Sequence, residues 1–147
     1  TFLLAPPTLS GNKLDILTGQ EATVKKACRL WEASQLLFDN GYYEDSISRA
    51  YYALYHMVKA VMAAKASIVR ARWDHYELHK SFLDNFCKRG FIFNKDDGKT
   101  FGTLLTLRNN ADYFKANLTK KEVHGHLRDA ESLLKKIKEV FLENAES

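Results

Sequence analysis

The chain has 147 residues, of which 46% are hydrophobic and 27% charged, so it can bury one core and is not a disordered polypeptide. Its net charge of +4 comes from interspersed cations and anions, which permits contact with phosphate but excludes a continuous basic tract. Two cysteines, Cys28 and Cys87, are too few for a zinc pattern, and no apolar run reaches the roughly 20 residues that span a bilayer, so we predict a reduced cytoplasmic protein.

An N-terminal arm, residues 1–17, shows no helical periodicity and precedes a single predicted domain at residues 18–147. Thr18 and Glu21 have the spacing of a capping box, in which two side chains bond each other's backbone N–H groups at the start of a helix. Apolar residues then recur at helical spacing along the following segment. The sequence therefore predicts that the first helix begins directly after the arm.

Four further helical segments follow a turn at Asn40-Gly41, and their apolar residues recur every three or four positions. Both prolines, Pro6 and Pro7, lie in the arm, so none interrupts these segments. We predict an all-α fold, an antiparallel up-and-down bundle of about five helices. The predicted helices cover residues 18–40 and about 44–65, 75–88, 99–114 and 119–143, with a loop at 94–98.

The predicted second helix carries an unusual run of polar and aromatic residues, SRAYYALYH at positions 48–56. At 100° per residue, Arg49, Tyr52, His56 and Lys59 lie within roughly 80° of each other, on the side opposite an apolar stripe. Two interpretations are open. The polar tips either bond local partners in a helix that is packed on both sides, or they form a surface that meets phosphate and bases.

The predicted fourth helix contains RNNADY at positions 108–113. Arg108 and Asp112 are four residues apart, the spacing of an ion pair within a helix. In the alternative interpretation, Arg108 is directed at a phosphate and Asp112 or Asn109 holds its orientation. The spacing does not decide between the two.

Histidines could in principle bind a metal, and His75 and His79 have the i,i+4 spacing of paired ligands on a helix. No H-E-x-x-H pattern and no third ligand accompany them. Phosphate-binding loops and nucleophile elbows are also missing from the sequence. We therefore predict neither a metal nor a cofactor.

Four segments stand out in chain order: NGYYEDS at 40–46, SRAYYA at 48–53, ELHK at 77–80 and R-x-x-ADY at 108–113. Taken in this order, they resemble the HEPN family, and the resemblance covers about residues 21–143. It is nearest to small stand-alone prokaryotic HEPN proteins, and it implies a helical bundle that pairs as a symmetric homodimer. Many members accompany a minimal nucleotidyltransferase as a toxin–antitoxin pair.

The resemblance also bears on catalysis, because active HEPN toxins are metal-independent ribonucleases with an Arg followed, after four to six residues, by a His. Arg108 matches the Arg, but Tyr113 stands where the His is expected. A tyrosine titrates near pH 10 and is a poor proton shuttle at neutral pH. Whether the chain is an enzyme is therefore open at the level of sequence.

Two other pairs, Arg49 with His56 and Arg70 with His75, satisfy the spacing of this motif. Neither pair stands at the position that the family uses. Arg49 and His56 do share a helix face, about 10 Å apart along the axis, which leaves a relocated site open.

Three hypotheses result. The first is a dimeric module that binds nucleotide or RNA and works with a nucleotidyltransferase partner. The second is a ribonuclease toxin in which Arg108 acts with His79 or His56, and the third is a purely structural dimer. By the resemblance, the binding groove would be lined by Arg49, Tyr52, His56, His79, Arg108, Asp112 and Tyr113.

Overall fold

The computed structural model describes residues 19–88, 92–113 and 117–146, with side chains up to residue 110 in the fourth helix and 140 in the fifth. These ranges contain five α-helices and no strand, which confirms the predicted all-α bundle. The helices are α1 (Glu21–Asp39), α2 (Tyr43–Ala66), α3 (His75–Phe86), α4 (Lys95–Tyr113) and α5 (Lys120–Glu146). The predicted arm at 1–17 lies outside the described residues.

The start of α5 follows the capping chemistry of the sequence. Thr119 and Glu122 form the predicted capping box, since each side chain accepts a hydrogen bond from the other's backbone N–H. Thr18, half of the other predicted box, lies outside the described residues, and α1 begins at Glu21.

The predicted loop at 94–98 is wrong, because these residues include the first turn of α4. The backbone N–H of Asn94 donates to Asp97 Oδ2 at 2.9 Å, and the backbone N–H of Asp97 donates to Asn94 Oδ1 at 2.9 Å. This reciprocal pair caps the helix ahead of Gly98, whose low helix propensity suggested a loop.

Helix α2 is the centre of the bundle and packs against each of the other four helices. Its buried side chains point to more than one side, and Tyr51, Leu54 and Met57 are completely inaccessible to solvent. Fully burying such side chains stabilises a fold by roughly 1.5–3 kcal/mol each. Because α2 has neighbours on several sides, its tyrosines cannot all point outwards.

A glycine in α4 makes room for His79 of α3. A Cβ atom at Gly102 would lie 2.7 Å from His79 Cε1 and 2.8 Å from Nε2, closer than non-bonded atoms tolerate. His79 Nε2 lies 3.0 Å from the carbonyl oxygen of Gly98 and must donate to it. The ring therefore cannot move away from Gly102 without weakening this hydrogen bond.

Gly102→Ala is expected to lower the free energy of unfolding by about 1–2 kcal/mol, because the overlap outweighs the helix-propensity gain of about 1 kcal/mol. In a His79→Ala background the overlap is gone, and the same substitution should raise stability by up to about 1 kcal/mol. Urea unfolding of wild type, Gly102→Ala, His79→Ala and the double variant measures the effect of Gly102→Ala in both backgrounds. Equal effects in the two backgrounds would show that His79 does not occupy this space.

Candidate functional site

Three tyrosines of α2 hold the start of α3. The Tyr51 hydroxyl oxygen lies 2.7 Å from His75 Nδ1, and the Tyr55 hydroxyl donates to the carbonyl oxygen of Trp73 at 3.0 Å. The ring centroids of Tyr51 and Tyr55 lie 5.4 and 5.2 Å from that of His75, and the Tyr52 centroid lies 6.0 Å away. The imidazole is thus enclosed by aromatic rings on one side.

The position of His75 is fixed by its own helix as well. Asp74 is the N-cap of α3, and its Oδ1 accepts hydrogen bonds from the backbone N–H groups of Tyr76 and Glu77, at 3.0 and 3.1 Å. This cap makes His75 the first residue of the helix. A side chain at that position points back along the helix toward the tyrosines of α2.

Arg108 of α4 joins the same cluster. Its Nη2 donates to the Tyr52 hydroxyl at 2.6 Å, and its Nη1 donates to Asn109 Oδ1 at 2.9 Å. The Arg108 Cζ atom lies 5.2 Å from the Tyr52 ring centroid, within the range of a cation–π contact. Asn109 Nδ2 in turn donates to the hydroxyl of Tyr76 at 3.0 Å. Residues from α2, α3 and α4 are thereby connected, and we call Tyr51, Tyr52, His75, Arg108 and Asn109 the arginine cluster.

The protonation states of His75 and Tyr51 in the arginine cluster follow mainly from their burial. Burial, and next the positive charge of Arg108, lower the pKa of His75, against a smaller opposite effect of Asp74. Burial also raises the pKa of Tyr51, so its hydroxyl keeps its proton. At neutral pH the cluster therefore combines a cationic guanidinium with a neutral imidazole.

The structure brings two of the predicted site residues, Tyr52 and Arg108, into direct contact. Arg49 is exposed and lines a groove along α1. His79 is half-buried, bonded to the carbonyl oxygen of Gly98 and edge-on to the ring of Phe101.

His56 lies on the side of α2 that faces Lys26 of α1. Burial, followed by the charges of Lys26 and Lys59, lowers the pKa of His56 to about 4. The side chains of Asp112 and Tyr113 lie outside the described residues, so the predicted pairing of Arg108 with Asp112 stays a prediction.

His75 was not among the residues predicted for the site. The spacing of Arg70 and His75 pointed to it, but Arg70 lies elsewhere: its Cζ is 4.3 Å from the Trp73 ring centroid, and its Nη1 is 3.1 Å from Glu77 Oε2. The histidine lies near Arg108 instead, 33 positions later in the sequence, because Tyr52 contacts both the imidazole ring and the guanidinium. Only the packing of α3 between α2 and α4 creates this proximity.

Acid is expected to destabilise the bundle through His56. Its pKa of about 4 in the folded chain lies below the ordinary value of about 6.5, so the unfolded chain binds this proton more readily. The stabilisation is complete above about pH 6.5 and is lost as the pH falls toward 4. Between pH 7 and 4.5, wild type should lose about 1–2 kcal/mol more unfolding free energy than His56→Gln, a figure reduced for partial exposure.

Urea unfolding at the two pH values measures this difference, and His126→Gln on α5 is the matched control. Equal losses in wild type and His56→Gln would show that His56 titrates as an ordinary surface histidine.

Neither a metal-binding cluster nor a membrane-spanning helix is found in the part of the chain that the structure describes. No group of three or more His, Cys, Asp or Glu side chains there is arranged to hold a metal ion. Within the same ranges, no helix has the combination of length and apolar character that crossing a bilayer requires.

The arginine cluster lies inside the stretch that matches a known family. The model of the HEPN domain matches residues 20–140, which include all five helices in whole or in large part. The chain belongs to the HEPN family. The resemblance seen in the sequence is thus confirmed, and it spans the residues that connect α2, α3 and α4.

Relatives of this HEPN protein include two proteins of Methanocaldococcus jannaschii. "Putative toxin MJ0605" is 29% identical over 133 residues, which cover 88% of this chain and 93% of the relative. "Putative toxin MJ0142" is 29% identical over 119 residues, 79% of this chain and 72% of the relative. UPF0332 protein PH1297 of Pyrococcus horikoshii is 33% identical over 79 residues, 54% of each chain.

Proposed function

We propose that this HEPN protein is a dimeric RNA-binding module in which Arg108 contacts a backbone phosphate. The observation that carries the proposal is the fixed guanidinium: both Nη atoms of Arg108 donate hydrogen bonds, to the Tyr52 hydroxyl and to Asn109 Oδ1. These two oxygens hold the guanidinium in one orientation. A planar fork held in this way is suited to phosphate oxygens, and little side-chain entropy is left to lose on binding.

An aromatic side chain beside the guanidinium supports RNA over a free phosphate ion. The Tyr76 ring is 65% exposed and its hydroxyl accepts a hydrogen bond from Asn109, next to Arg108. Exposed aromatic rings stack on unpaired bases, and each stacked base contributes roughly 1–3 kcal/mol to binding. Tyr76 and Arg108 therefore offer one contact to a base and one to its phosphate.

Two parts of the proposal, the dimer and a nucleotidyltransferase partner, rest on what the HEPN family implies. Light scattering of the purified chain is expected to give the mass of two copies. A mass of one copy at micromolar concentration would remove the dimer from the proposal and leave the RNA contact to be tested by itself.

Binding is tested with a fluorescein-labelled single-stranded RNA, by anisotropy across a series of salt concentrations. If two or three phosphates are contacted, affinity should fall about tenfold between about 50 and 200 mM salt. An unlabelled RNA should compete with the probe, and inorganic phosphate should compete poorly because it cannot stack on Tyr76. The proposal fails if no binding is found at the lowest salt concentration.

A ribonuclease toxin is the second candidate, and the neutral imidazole beside Arg108 favours it. His75 is oriented by Tyr51, and its lowered pKa keeps it unprotonated at neutral pH. When Nδ1 donates to the Tyr51 hydroxyl oxygen, Nε2 is the proton acceptor that general-base catalysis requires. The names of the two M. jannaschii relatives agree with a toxin.

The reaction would be cleavage of RNA by its own ribose. The 2′-oxygen attacks the adjacent phosphorus, its proton passes to His75 Nε2, and Arg108 stabilises the negative charge on the phosphorane. The bond to the 5′-oxygen breaks, and this oxygen takes a proton from water. The products are a 2′,3′-cyclic phosphate and a 5′-hydroxyl.

His75→Gln is expected to slow this cleavage by at least about a hundredfold, since a positioned general base contributes 10²- to 10⁴-fold. The assay contains EDTA, and a 2′-deoxy substrate should resist cleavage. Because the pKa of His75 is lowered, the wild-type rate should hold below pH 6.5 and fall only at more acidic pH. RNA that is bound but stays intact, or equal rates for wild type and His75→Gln, would rule out this candidate.

A further inference from the structure

We propose that the groove along the outer side of α1 is a docking site for an acidic amphipathic helix of a partner protein. The groove has a volume of about 770 Å³ and is lined by α1 together with Arg49 of α2. It is separate from the arginine cluster, since none of its lining residues belongs to that cluster. The proposal therefore does not depend on RNA binding.

The floor of the groove is aliphatic. Leu30, Ala33 and Leu37 line it at positions i, i+3 and i+7 of α1, and Leu36 beside them is 66% exposed. The core-facing side of α1 is a neighbouring one, since its buried residues are Val24, Ala27, Trp31, Ser34 and Phe38 and only Leu30 of the floor also packs partly against the core. A second apolar stripe with this spacing matches the way in which one helix receives another, and large apolar side chains clustered at a surface mark interaction sites.

The rim of the groove is cationic, with Lys26, Arg29 and Arg49 around the leucines. Complementary charges steer association and select the partner. A helix with a leucine stripe flanked by Glu and Asp satisfies both the floor and the rim.

The same charges argue against a second copy of this chain and against RNA. A symmetric pair would place each cationic rim against its own counterpart, and like charges across an interface are unfavourable. RNA would meet the cations, but aliphatic leucines provide neither a stacking surface nor a hydrogen-bond donor. The combination of floor and rim favours an acidic protein helix.

The test uses the full chain and two synthetic helical peptides with the same leucine stripe, one flanked by Glu and one by Lys. We expect the Glu peptide to bind and the Lys peptide to fail. Arg29→Glu, which lies at an exposed position, should weaken the Glu peptide at least tenfold and allow the Lys peptide to bind. Arg128→Glu, an exposed charge reversal on α5, is the matched control and should change neither affinity.

Leu36→Ser tests the contribution of the aliphatic floor apart from that of the cationic rim. It should lower the affinity for the Glu peptide. The fold should be kept, because Leu36 is exposed. The proposal is overturned if neither peptide binds, or if both peptides bind wild type equally. It is also overturned if Leu36→Ser converts a dimer into a monomer, which would assign the groove to a second copy. Loss of RNA affinity in Arg29→Glu equal to that in Arg108→Gln would assign the groove to RNA instead.

Discussion

Replacing Arg108 with glutamine is expected to weaken binding of a single-stranded RNA by about tenfold to a hundredfold. Glutamine removes the positive charge and the fork, and hydrogen bonds to charged groups contribute about 1.5–3 kcal/mol each. Arg108→Lys keeps the charge but loses the fork, so its affinity should fall between those of the wild type and Arg108→Gln. The measurement is fluorescence anisotropy at low salt, where phosphate contacts are strongest.

Three further measurements make this result interpretable. Arg128→Gln on α5 removes an exposed cation and should change affinity only slightly. Arg108 is 9% exposed, so far-UV circular dichroism and urea unfolding must show that Arg108→Gln is folded. Tyr52→Phe keeps the charge and removes the hydroxyl that accepts from Nη2, so it should lose part of the affinity. Equal affinities for Arg108→Gln and Arg128→Gln would exclude Arg108 from the binding site.

Tyr51→Ala is expected to lower the free energy of unfolding by about 3–5 kcal/mol, the range for removing a large buried aromatic side chain. Tyr51 is completely buried, and its ring is stacked on Phe101 with centroids 5.7 Å apart and an interplanar angle of 9°. Tyr51→Phe keeps this ring and loses only the hydroxyl beside His75, which should cost about 1 kcal/mol. Urea unfolding at pH 7 measures both substitutions.

The comparison separates the structural from the chemical role of Tyr51. Tyr42→Ala is the matched control, because the Tyr42 side chain is 58% exposed and its loss should change stability by less than about 0.5 kcal/mol. If the chain cleaves RNA, Tyr51→Phe should also shift the pH dependence of the rate, since it removes the group that orients His75. A loss below about 1 kcal/mol for Tyr51→Ala would contradict the central packing of α2.

Periodicity predicted the helices but not their neighbours. It placed Arg49, Tyr52 and His56 on one side of α2, and within the helix this is where they lie. Packing then separates them, because α1 covers the side near His56 while α4 brings Arg108 to Tyr52. The angular position of a residue follows from its place in the helix, but the element that meets it depends on the tertiary fold.

His75 is a residue of the arginine cluster that periodicity did not predict. Its sequence context, directly after Asp74, indicated only a residue at the start of a helix. Its proximity to Arg108 arises because α3 begins beside the tyrosines of α2 and α4 packs on the same side. The start of α4 was not predicted for a local reason: Gly98 indicated a loop, although Asn94 and Asp97 cap the helix directly before it.

The titration of the His75 imidazole by NMR, in wild type and in Arg108→Gln, tests most directly whether α2, α3 and α4 build one site. We expect the pKa of His75 to lie below its ordinary value of about 6.5 in wild type and to rise in Arg108→Gln, because a nearby positive charge has been removed. His126 on α5 serves as the internal reference. An ordinary pKa for His75 that does not respond to the loss of Arg108 would show that the two side chains do not share a site.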